Sequence, residues 1–156
     1  MLSESARSTS SAESRFRVQA PNAMARDILV IALDEESAKL GTLLAGQPWR
    51  RTQFVNFRRD GDAPAVLQTW LGAMEQRDFD LIVMVGSIGS KLDLAADIGS
   101  RCIDGGVKIS SVLLAPAAAS SRSISAGLLA LRPWSVTLAV IAEAEYLPGV
   151  LHALGA

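Results

Sequence analysis

With a single cysteine and a single histidine in 156 residues, the chain lacks the parts of the commonest reactive sites. Cys102 alone cannot close an internal disulfide, and a reducing, cytoplasmic setting is the simplest expectation. With His152 as the only imidazole, neither a Cys/His zinc site nor a Ser-His-Asp arrangement has convincing parts. Aromatic residues are only 5% of the chain, and Trp49, Trp70 and Trp134 are too scattered to form a stacking platform, so core packing is their expected role. A formal net charge of −1 provides no basic field for nucleic acid or an anionic membrane, and neither partner is expected. No apolar run approaches the roughly 20 residues that span a bilayer.

Residues 1–26, MLSESARSTSSAESRFRVQAPNAMAR, are rich in Ser, Ala and Arg and have no apolar period. Such a stretch buries too little surface to offset the entropy of ordering, so a disordered arm is expected. It lacks the apolar run of roughly 7–15 residues that a secretory signal needs. Glu4 and Glu13 also depart from the acid-poor composition of an organellar presequence.

What is present is alternation. DILVIAL (27–33), TQFVNF (52–57), DLIVMVG (80–86), KISSVLLAP (108–116) and SVTLAVIA (135–142) read as five strands. The first and third are continuous apolar runs, as expected of strands covered on both faces. Between and after them, 34–47, 63–76, 91–106, 121–131 and 145–155 read as helices. Asp34 or Ser37 is the expected cap of the first helix. Val66, Leu67, Trp70, Leu71 and Met74 form the apolar face of the second, and Gly105 and Gly106 mark the end of the third. Strand and helix alternate throughout 27–156, which predicts one α/β domain: a three-layer, Rossmann-like fold with a mostly parallel sheet of about five strands.

Open parallel sheets bind ligands beyond the carboxyl ends of their strands, at the switch point of strand order. Candidate residues therefore follow the strands. After the third come Gly86, Ser87, Gly89, Ser90 and Lys91, in GSIGSK: small residues that let a backbone approach an anion, at a helix start, with a cation. The spacing matches neither the Walker pattern nor G-x-G-x-x-G, and Asp93 and Asp97 oppose a phosphate. A plain strand-to-helix turn is the alternative. After the fourth strand, Ser121 and Arg122, with Ser120 and Ser123, either hold a phosphate or carboxylate or serve as caps with a solvated arginine. Asp34, Glu35 and Glu36 could hold a divalent ion with Glu143 or Glu145 if the first and fifth strands end close together; otherwise they complement a helix dipole. Cys102, among apolar helix neighbours, reads as core. His152 reads as a surface or interface residue. The arginines at 50, 51, 58 and 59 flank the second strand, as gatekeeping charge flanks a sheet edge.

Two family resemblances overlie this pattern. From DFDLIVMVGSIG through GGVKISSVLLAP to SAGLLALRPWSVTLAVIAEAEYL, residues 78–150, the chain resembles the second half of the nucleotide domain of FtsZ, the bacterial tubulin relative. GSIGSKLDL stands where that family has its glycine- and threonine-rich phosphate loop, and ALDEES where it has its glycine-rich first turn. The resemblance thus implies a nucleotide-domain architecture whose nucleotide chemistry is largely lost. NFRRDGDAPAVLQTWLGAMEQRDFDLIVMVGSIGS resembles the middle of molybdopterin-binding domains. That resemblance implies a pterin phosphate near Gly86, Ser87, Gly89 and Ser90, although Val85 to Ile88 depart from the family's T-G-G-T-like turn.

The functional expectation is a non-catalytic binding or assembly module that forms a homo-oligomer or holds a protein partner. The alternative is a binding protein for a phosphorylated small molecule, a nucleotide or a molybdopterin-like ligand, at the turn after the third strand. The residues identify no cofactor, catalytic residue or metal ligand.

Overall fold

The structure is a computed structural model, and it describes residues 25–56 and 79–156. The arm expected over 1–26, as far as residue 24, and the helix expected over 63–76 lie outside the described residues.

Five strands form one sheet: β1 (Ile28–Ala32), β2 (Thr52–Asn56), β3 (Leu81–Ser87), β4 (Lys108–Leu114) and β5 (Thr137–Ile141). Their order is β2-β1-β3-β4-β5, and every pairing is parallel, so the expected mostly parallel sheet is entirely parallel among the described residues. The described helices are α1 (Glu35–Ala45), α2 (Leu94–Asp104), α3 (Ser121–Leu131) and α4 (Leu147–Ala153).

Period-2 alternation of the strands divides the core into two layers. Leu29, Ile31, Ile82, Met84, Ile109 and Leu113 face one side and meet Ala95, Ile98 and Cys102 of α2 and Leu131 of α3. Ile28, Val30, Leu81, Val83, Val85, Val112 and Ile141 face the other, with Leu44 of α1 and Leu147 and Leu151 of α4. β1 and β3 are buried along their whole length, which is why their sequences show no polar alternation. Each fully buried Ile or Leu contributes about 1.5–3 kcal/mol of transfer free energy, so this double layer dominates the stability.

Local chemistry sets the helix ends. α2 starts three residues later than the pattern of 91–106 predicts. Asp93 makes no side-chain cap bond, and the N–H groups of Ala95 and Ala96 reach back to the carbonyls of Leu92 and Asp93 in a tight first turn. Its end is the glycine stop expected from the sequence. Gly106 has φ +71°, its N–H donates to Ile103 and that of Val107 to Cys102, the double closure of a Schellman motif. α2 approaches the turn after α3 closely: a Cβ on Gly99 would lie 2.4 Å from the Trp134 ring, so only glycine fits there.

The buried serines of β4 are satisfied across the sheet. Ser110 Oγ and Thr137 Oγ1 are 2.6 Å apart, as are Ser111 Oγ and Ser135 Oγ. Ser135 spends its own proton on the Leu131 carbonyl (2.7 Å), which makes Ser111 the donor in its pair. Among the described residues, no helix is long and apolar enough to cross a membrane.

Candidate functional site

The chain moves from β1 outward to β2 and then to β3 on the other side of β1, so strand order reverses between β1 and β3. The crevice expected to hold a ligand in such a sheet lies beyond their carboxyl ends. Register places Ala32 beside Val85, and the Leu33 N–H donates to the Val85 carbonyl at 2.9 Å. The next residue on the β1 side is Asp34; on the β3 side, Gly86 and Ser87 follow.

Asp34 occupies this position with its carboxylate turned inward. It is only 9% exposed. In extended conformation (φ −144°, ψ 175°) it caps α1: Oδ1 accepts the Ser37 N–H at 2.9 Å. Its other oxygen crosses to the neighbouring strand, where Oδ2 accepts the Ser87 N–H at 2.6 Å. The next amide, Ile88, donates to the Leu114 carbonyl at the end of β4 (3.1 Å). The first two N–H groups beyond Gly86 are therefore committed within the protein. An incoming phosphate would meet a buried carboxylate at close range, where repulsion is least screened.

The remaining residues of the turn divide by role. Gly86 lies within β3, and a Cβ there would stand 2.7 Å from Leu92 Cδ2, so its smallness accommodates a core leucine. Ser87 is buried, and its hydroxyl lies 3.4 Å from that of Ser90. Gly89 has φ +77° with open space where a Cβ would be, which is the reason for glycine there. Lys91 is exposed. Among the described residues, no acceptor takes the N–H of Gly89 or Lys91.

Ser120 caps α3, accepting the Ser123 N–H at 3.2 Å and donating to Ser123 Oγ at 2.9 Å. Ser121 and Arg122 are exposed on the first turn. The loops carrying Ser87 to Lys91 and Ser120 to Arg122 leave neighbouring strands, β3 and β4, at the same end of the sheet. Among the described residues, no hydrogen bond joins the two groups of side chains.

The acidic residues are not brought together. β3 and β4 lie between β1 and β5, which separates the strand ends by about 14 Å at ordinary strand spacing. Glu35 and Glu36 instead face Lys39, at 4.0 and 3.0 Å, and the hydrogen bond that the lysine donates to Glu36 raises its pKa. Beyond β5, a hydrogen bond with Glu145 raises the pKa of the Glu143 carboxyl. Among the described residues, no group of three His, Cys, Asp or Glu side chains could hold a metal ion.

Cys102 is buried in the α2 layer, and burial pushes its thiol up to about 11. This environment holds it protonated and unreactive. His152 stacks on Trp49 with ring centroids 4.9 Å apart, while the indole N–H donates to the Leu44 carbonyl at 2.7 Å. The Arg26 N–H meets the Gly155 carbonyl, so this pair sits near the start of β1, at the other end of the sheet from Asp34.

The contact missing from the sequence reading is the one between Asp34 and Ser87, 53 positions apart. Its signal was an acidic residue directly after one buried strand and a small residue at the end of another; only strand order makes them neighbours. No protein-family model matches the chain, and no curated protein matches it.

Proposed function

We propose that the chain is a non-catalytic binding or assembly module that reuses a nucleotide-domain architecture and works by associating with copies of itself or with a protein partner, in a cytoplasmic setting. The observation that carries this reading is the Asp34 carboxylate in the switch-point crevice. It accepts the Ser87 and Ser37 N–H groups at 2.6 and 2.9 Å. A ligand phosphate would use such donors. Among the described residues, the single cysteine and the single histidine lie away from this crevice: Cys102 is buried in the α2 layer and His152 stacks on Trp49 at the far end of the sheet.

Thermal-shift measurements with nucleotides, pterins and inorganic phosphate near 1 mM, run beside light scattering, test this. A ligand at 100 times its Kd adds about 2.7 kcal/mol, or roughly 5–11 °C for a chain of this size. The expected result is no shift, with a scattering mass above the 16.5 kDa of one chain. A strict monomer stabilised by one of these ligands would reverse the reading.

A phosphorylated small molecule at the rim is the second reading. It is favoured by the N–H groups of Gly89 and Lys91, which no described acceptor takes, and by the exposed Lys91 side chain carried on the same turn. Stabilisation that disappears in Lys91→Ala would select it.

A further inference from the structure

We infer that the outer edge of β5 is a self-association surface on which a second copy of this chain adds its own β5 antiparallel, joining two five-stranded sheets across a two-fold axis. This inference rests on the assembly reading above and names its surface and partner. β5 pairs with β4 alone, so its other edge presents backbone N–H and C=O groups with no ladder partner among the described residues.

The two edges of the sheet differ in chemistry. β2, at one end, exposes Gln53 and Asn56 and is preceded by Arg50 and Arg51, the latter paired with Asp27 at 3.3 Å. That edge carries the polar and charged residues that discourage strand addition. The segment from Pro133 to Ala142 contains no charged residue. It exposes Val136 (63%) and Val140 (46%) on either side of the half-buried Leu138. Residues two apart share a face, so these three form one apolar row.

A second copy is the occupant that this row fits. Antiparallel pairing of β5 with itself, in a register that sets even-numbered residues opposite one another, brings the Val136, Leu138 and Val140 rows of the two copies together and opposes no like charges. Side chains directly opposite one another on one face are the unit of sheet stabilisation, and like charges there are destabilising. The contact is isologous, so it closes at two copies and leaves the guarded β2 edges outermost.

The test is sedimentation velocity on the full chain, with Val140→Lys as the disrupting variant and Leu43→Lys, on exposed α1, as the control. Circular dichroism checks that each variant is folded. The wild type and Leu43→Lys are expected to dimerise, with the dissociation constant raised roughly tenfold or more in Val140→Lys, which sets a charged lysine of each copy against Val136 of the other in the apolar row. Amide exchange on the wild type provides a readout without mutation: protection of outward amides in 137–141 should rise with protein concentration. A dimer unaffected by Val140→Lys overturns this surface and leaves the assembly reading standing. A monomer at every concentration overturns self-association itself. Protection of the β5 edge that is independent of concentration overturns the inference by assigning the edge to another part of the same chain.

Discussion

Replacing Asp34 with alanine removes both acceptors from the switch-point crevice at once. Two losses follow. Losing the cap on α1 costs about 1 kcal/mol, within the range of roughly 0.5–2 measured for such residues. The Ser87 N–H, buried and left without its 2.6 Å partner, costs about 1–3 kcal/mol more. Together they predict a destabilisation of about 3 kcal/mol. For a chain of this length that is a fall in Tm of about 6–12 °C. In urea, with a slope of about 2 kcal/mol per molar, the midpoint moves down by roughly 1.5 M. Asp34→Asn keeps one acceptor oxygen and should lose about half as much. Urea unfolding followed by far-UV circular dichroism measures both variants against the wild type. An alanine variant within about 0.5 kcal/mol of the wild type, the usual range of an unimportant surface change, would refute closure of the crevice by Asp34.

Gly99→Ala should destabilise by about 1–3 kcal/mol, because its Cβ would stand 2.4 Å from the Trp134 ring and either α2 or the indole must move; thermal unfolding measures it. Ser37→Ala should be neutral or slightly stabilising, since the Ser37 hydroxyl is buried with no hydrogen-bond partner among the described residues while the cap bond uses its backbone N–H; a loss above about 1 kcal/mol contradicts this. Cys102 should resist a thiol-reactive dye in the folded protein from pH 7 to pH 9, because a pKa near 11 leaves little thiolate, and should react once urea unfolds the chain. Rapid labelling under native conditions would contradict its place in the core. Ser120→Ala should cost about 1 kcal/mol through loss of the α3 cap, read as a lower urea midpoint.

The layered architecture was legible because it rests on local signals. The apolar runs of β1 and β3 report burial on both faces, and the glycine pair at 105 and 106 reports a helix stop; both are properties of a few adjacent residues. Ser120 could likewise be read as a cap from its place before an apolar period. The site was less legible because it depends on which strands are neighbours. Gly86 suggested an open turn, yet its lack of a side chain makes room for Leu92, six residues on. Asp34 could be recognised as a cap, since Ser37 is three residues away, but its second bond crosses to Ser87 only because β1 and β3 are adjacent. The same topology separates the acidic residues after β1 from those after β5, a distance that spacing along the chain does not encode. The contrast between the two sheet edges also emerges only when β5, whose apolar sequence resembles an interior strand, takes an outer position.

The most direct measurement is a titration of the isotope-labelled chain with inorganic phosphate, followed through the backbone amide resonances of Ser37, Ser87, Gly89 and Lys91. If Asp34 holds the Ser87 and Ser37 N–H groups, both resonances stay fixed and their exchange with solvent remains slow at every phosphate concentration. Saturable movement of the Ser87 resonance, with phosphate replacing the carboxylate as its acceptor, would contradict the closed crevice and the assembly reading built on it.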